Sequence, residues 1–260
     1  MVRIVRTWQQ IEAKGIGIVD KICSILNDVF FGPYFFQTAL VLRESLLLNS
    51  ILLNSESWYN LTTADIKELE HIDNVLHRRI LETPVSTPIS ILHLELGTLP
   101  IKYLIKRRRL LYLQYILKQD KDSLMYKVFE AQSRNPQKGN WVLQIIDDIN
   151  KVDLQLTFEE IKSMSKYSYN GKVKKAIRKS AFNWLIADKD KPRSGNPPKG
   201  SNLHYDQFKM QDYFLPNTMT IKQCNLLFSL RGCNYRHSYS SLTSQVCEDP
   251  ANLDSQLHIP

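Results

Sequence analysis

The run from Thr38 to Tyr59, TALVLRESLLLNSILLNSESWY, constrains this chain more than any other stretch. Leu40, Val41, Leu46, Leu47, Leu48, Ile51, Leu52 and Leu53 leave little room on it for a solvated face. A helix that is apolar almost all round belongs in a protein core or in a bilayer. Arg43 and Glu44 sit inside the run, and a charge near a bilayer centre costs ~2.5–3.5 kcal/mol even on the permissive insertion scale. Asn49 and Asn54 interrupt the remainder, so no uncharged span reaches the ~18–20 residues of a membrane helix. The run is expected to be a buried helix, and no membrane partner is expected.

A buried helix needs partners, and the rest of the chain offers them at helical spacing. Ile18, Ile22, Ile25, Leu26 and Val29 form an amphipathic stripe after a lead-in over residues 1–13. Gly15-x-Gly17 resembles the start of a dinucleotide fingerprint, but no strand precedes it and the third glycine is missing. It reads as a flexible helix start. Thr62 and Asp65 have capping-box spacing ahead of a core stripe of Ile66, Leu69, Ile72, Leu76 and Ile80. His71 and His77 lack the spacing to share a metal and read as surface or rim residues. Pro84 and Pro88 close that helix, and Gly97 and Pro100 divide a short helix from a longer one. Further helical patterns cover Ser123–Gln132 and Trp141–Asn150, and Thr157 with Glu160 repeats the capping box. Ile145-Ile146-Asp147-Asp148 superficially matches a metal-holding polymerase turn. Its helical surroundings place the acids on a polar side, as a surface pair. KDKPRSGNPPKGSN (189–202) reads as a linker, and YDQFKMQDYFLP and TIKQCNLLFSLRGCNYR beyond it as two short helices. The expected fold is mainly α. An irregular helical bundle over 14–188 leads through the linker to a small, partly disordered segment over 203–260.

Charge narrows the function. Thirty-four Lys and Arg against 26 Asp and Glu give a net charge of +8, a moderate excess that suits a polyanion such as RNA or DNA. It is concentrated twice. Lys102, Lys106, Arg107, Arg108 and Arg109 load the first half of one helix. Two readings stand for them: a phosphate-contacting face, or a solvated turn whose stems snorkel over apolar neighbours. Between Lys162 and Lys179 there are seven Lys or Arg and no acid. There Val173, Ala176, Ile177, Ser180, Ala181, Trp184 and Leu185 are expected inward, leaving Lys172, Lys174, Lys175, Arg178 and Lys179 outside. Such a helix suits a phosphate backbone or an anionic membrane surface. Tyr167 and Tyr169 just before it fit base stacking or an ordinary core. Four scattered cysteines make no disulfide framework, and no apolar signal core opens the chain; an intracellular setting is expected.

Taken in order, KGIGIV, LRESLLLNSILLNSESWYNLT, LEHIDNVLHRRIL, TPVSTPI, LHLELGTLPIKYLIKRRRLLYLQYIL and AQSRNPQKGNW resemble the region downstream of the polymerase core in non-LTR retrotransposon reverse transcriptases. The resemblance covers roughly residues 12–260. It implies a helical thumb and connection gripping template and primer, followed by a Cys/His zinc knuckle. Only Cys247 and His258 match knuckle ligand positions, and Ser244 replaces a thiolate. Two ligands do not close a structural zinc site, so no metal and no cofactor is expected. The polymerase's metal-binding carboxylates would lie before residue 1. The resemblance thus implies a noncatalytic nucleic-acid-binding segment. The alternative is a protein-interaction remnant whose exposed apolar surface drives self-association.

Overall fold

Apolar residues at helical spacing run through most of this chain, and its computed structural model is helical accordingly. It describes residues 8–29, 34–135, 139–191, 203–216 and 219–231. The helices are α1 (Trp8–Val29), α2 (Phe35–Leu42), α3 (Asn49–Ile51), α4 (Thr63–Ile80), α5 (Ile89–Leu96), α6 (Ile101–Leu117), α7 (Leu124–Arg134), α8 (Trp141–Lys151), α9 (Phe158–Ser163), α10 (Lys166–Lys189) and α11 (Ile221–Arg231). A π-helical segment, Arg43–Leu48, joins α2 to α3. Among the described residues the one β-bridge is antiparallel, between Leu96 and Met210. No helix among them is long and apolar enough to cross a membrane.

Both capping boxes form. Thr62 N–H donates to Asp65 Oδ2 at 2.8 Å and Thr157 N–H to Glu160 Oε2 at 2.7 Å. The first of these launches α4, against which α1 packs lengthwise. Gly15 lies inside α1, which begins at Trp8 rather than loosely near residue 14. A Cβ there would meet Ile72 Cγ2 at 2.7 Å. The glycine's loss of helix propensity, roughly 0.5–1 kcal/mol relative to Ala, is offset by the close approach of two helices.

The apolar run does enter the core through Phe36, Ala39, Leu47, Leu48, Ile51 and Leu52. It is not buried all round: Val41 is 64% and Leu53 53% exposed. The hub of the bundle is α6 instead, which packs on α4, α7, α8, α9, α10 and the turn at Ser55–Ser57.

The residues beyond the expected linker do not form a separate core. Leu203, Tyr205, Phe208, Phe214, Cys224 and Phe228 are buried in the same cluster as the bundle. Residues 203–216 are no helix but an irregular strap with a single 3-10 turn at Asp212–Phe214. Glu95, fully buried on α5, fastens it. Tyr205 Oη donates to Glu95 Oε1 at 2.6 Å, Tyr213 Oη to Oε2, and Arg231 Nε to Oε1 at 3.4 Å. At Gly97 (φ 64°) the strap comes so close that a Cβ would lie 2.3 Å from Met210 N.

Candidate nucleic-acid interface

The two basic helices have different surroundings. On α6 four consecutive basic residues cover a full turn, so some had to face inward, and its position as hub puts protein on most sides. Arg109 is in the core at 5% exposure. It donates to Asp148 Oδ2 through Nε at 2.7 Å, and to the Trp58 carbonyl at 3.2 Å. Lys106 Nζ faces Asp148 Oδ1 at 3.8 Å. Arg108 donates to the Leu52 carbonyl and to Asn49 Oδ1 at 3.4 Å. Lys102 Nζ sits 2.9 Å from the centroid of the Trp184 ring. Burial brings the Lys102 ammonium down to about 8, against the pull of Glu70. Arg107 is half-buried. Arg109 therefore offers nothing to a phosphate, and Lys102, Lys106 and Arg108 clamp the bundle.

The same contacts correct the expectation for Asp147 and Asp148. Asp147 is half-buried and pairs with Lys151 at 2.7 Å, but Asp148 is fully buried. Burial raises its carboxyl, and Arg109 and Lys106 pull it back. With Arg109 on one oxygen, the pair is a structural pin, not a metal-holding turn.

On α10 the buried face is Tyr169, Val173, Ile177, Ala181, Leu185 and Lys189. Lys172, Lys174, Lys175 and Lys179 are exposed, and none forms a salt bridge among the described residues. Lys172 is within electrostatic reach of the exposed Glu160. Lys172, Lys175 and Lys179 follow at i, i+3 and i+7, which makes one stripe about 10 Å long at 1.5 Å per residue. Arg178, the fifth expected residue, turns away from that stripe. It donates to the Phe208 carbonyl and lies 5.0 Å from that ring's centroid, so it holds the strap. Tyr169 is a core aromatic donating to the Leu110 carbonyl at 2.9 Å, whereas Tyr167 is 92% exposed.

A second polar cluster escaped the sequence reading. Arg43, from inside the apolar run, donates to both oxygens of Asp73 at 2.6 Å. His77 Nδ1 lies 4.0 Å from Asp73 Oδ2. Thr98 Oγ1 is 3.3 Å from His77 Nε2 and 2.9 Å from His93 Nδ1. All five side chains are buried, so His77 is no rim residue; His71 is exposed. Burial pushes the Asp73 carboxyl up, but Arg43 and His77 together hold it well below the usual range. Burial also lowers His77 to about 4 and carries His93 well below its ordinary value. Asp73, His77 and His93 offer ligand atoms within 4.8 Å of one another. Arg43 already engages both carboxylate oxygens, and its fixed charge opposes a dication. The cluster is a charged pin between helices. The knuckle positions Cys247 and His258 lie outside the described residues; Cys23 is half-buried and Cys224 buried, with its Sγ donating to the Tyr213 carbonyl.

Compared with known proteins, the chain matches no family model, no curated protein and no solved structure.

Proposed function

We propose that this chain binds RNA or DNA without catalysing a reaction on it, as a helical relative of the thumb and connection region of a non-LTR retrotransposon reverse transcriptase. The observation that carries the binding is the exposed stripe Lys172, Lys175, Lys179, which forms no salt bridge among the described residues. Exposed ammonium groups spaced along a rigid helix and free of salt bridges displace counterions from a phosphate backbone with little rearrangement. The resemblance in segment order supports a reverse-transcriptase origin, and it adds the duplex of template and primer as the natural ligand.

The test is a salt titration of duplex binding by fluorescence anisotropy. Each phosphate neutralised contributes about −0.9 to the slope of log affinity against log salt. Replacing Lys172, Lys175 and Lys179 together by Gln is expected to make the slope shallower by about 2–3. Binding indifferent to salt, or a triple variant with the original slope, overturns the proposal.

A second reading rests on its own observation. Val41 and Leu53 of the apolar run are 64% and 53% exposed and Tyr34 just before it 55%, as in a protein-interaction remnant that self-associates. Light scattering separates the two: concentration-dependent oligomers favour it, and a monodisperse monomer counts against it.

A further inference from the structure

Where α6 ends and α10 begins, the two helices leave a groove of about 330 Å³. Leu111, Gln114, Tyr115 and Lys118 line it from α6, and Lys166 and Asn170 from α10. We infer that this groove holds one unpaired nucleotide of a single-stranded nucleic acid, with Tyr115 as its stacking platform. The inference rests on the nucleic-acid reading above and identifies a second mode within it.

Five observations fit that ligand. Tyr115 is 54% exposed, and its ring is stacked on Tyr112 with centroids 5.8 Å apart and planes 18° apart. It is thus an aromatic face fixed from behind and open in front, as stacking on a base requires. The lining contains two ammonium groups and no carboxylate. Lys118 Nζ is fixed by one bond to the Met164 carbonyl at 2.6 Å, leaving two of its three donors for a phosphate. Gln114 is buried and its Nε2 donates to the carbonyls of Ile161 and Met164 at 3.0 and 3.1 Å. That sets the amide's orientation and leaves its oxygen as an acceptor toward an exocyclic amine. Volume agrees too, at the lower end of the ~300–1,000 Å³ typical of small-ligand sites.

Lys166 and Asn170 lie on the side of α10 that faces α6. At about 100° per residue the stripe Lys172, Lys175 and Lys179 lies on the opposite side of the same helix, so groove and stripe are separate contacts. A base paired within a duplex cannot enter, because its faces are already stacked. The groove thus selects single strands, whereas the stripe accepts either form.

The test compares a labelled single strand of about ten nucleotides with a duplex of the same sequence, on the full chain. Tyr115→Ala is expected to weaken single-strand binding by about fivefold or more, with duplex affinity and its salt slope unchanged. Tyr115→Phe, which keeps the ring, should bind like the parent. An unchanged single-strand affinity in Tyr115→Ala, alongside intact salt-dependent duplex binding, overturns the groove and leaves the parent proposal standing. So does an equal loss on both ligands. Absence of binding to either form overturns both proposals.

Discussion

Arg43 is a charge inside an apolar run, and Asp73, thirty residues away, is the reason it is tolerated. Breaking a buried pair by removing one partner leaves an uncompensated charge, at a cost of about 3–5 kcal/mol, while replacing both by apolar residues is often near neutral. Arg43→Met is therefore expected to lose stability of that order in urea unfolding, and Arg43→Met with Asp73→Leu to regain most of it. The histidines beside the pair add a pH dependence. His77 titrates near 4 in the fold and His93 also below its ordinary value, against 6.5 for both in the unfolded chain. Between those values the unfolded state binds more protons, so stability falls as pH falls through about 6.5 toward 4. The depressed Asp73 carboxyl continues the loss below its unfolded value of 3.8. Urea midpoints at about pH 7 and about pH 5 should differ, and less so in His77→Gln/His93→Gln. Side chains whose partners lie three residues away, such as Thr62 with Asp65, were legible in the sequence. Arg43–Asp73 and Arg109–Asp148 were not, because 30 and 39 residues separate the partners and no local rule joins them.

Helix by helix, the pattern of apolar residues located α4, α6, α8 and α10 well, but composition alone treated α6 and α10 as equals. Their neighbours distinguish them. Packed against six elements, α6 draws Lys106, Arg108 and Arg109 into internal contacts, whereas α10 buries one face and leaves Lys172, Lys174, Lys175 and Lys179 to solvent. The strap was misread for a related reason. Tyr205, Phe208, Tyr213 and Phe214 occur at spacings that fit a short helix, yet their partners are Glu95, Phe36 and Phe182, spread over three helices. Reaching them requires extended chain. Because Glu95 receives Tyr205, Tyr213 and Arg231 together, Glu95→Gln removes the charge from all three bonds. Bonds to a charged group contribute about 1.5–3 kcal/mol each. Limited proteolysis is expected to cut Glu95→Gln within 203–216 well before the parent, with the helices 63–189 resisting as before.

At the scale of the molecule, the surplus of +8 is not spread evenly. Arg43, Arg108, Arg109 and Arg178 are engaged internally, whereas α10 carries four exposed lysines between Lys172 and Lys179. The strap that closes the core on Glu95 has a further effect, which belongs to time rather than to affinity. Its anchors lie 110, 118 and 136 residues from Glu95 in the chain. Contacts of such separation carry the largest loop-closure cost in the fold, so the strap is expected to dock after the helices. Interactions absent from a folding transition state slow unfolding without speeding folding. Glu95 and its three partners are thus expected to act as a brake on opening, so that Glu95→Gln speeds unfolding and leaves the folding rate to the helices.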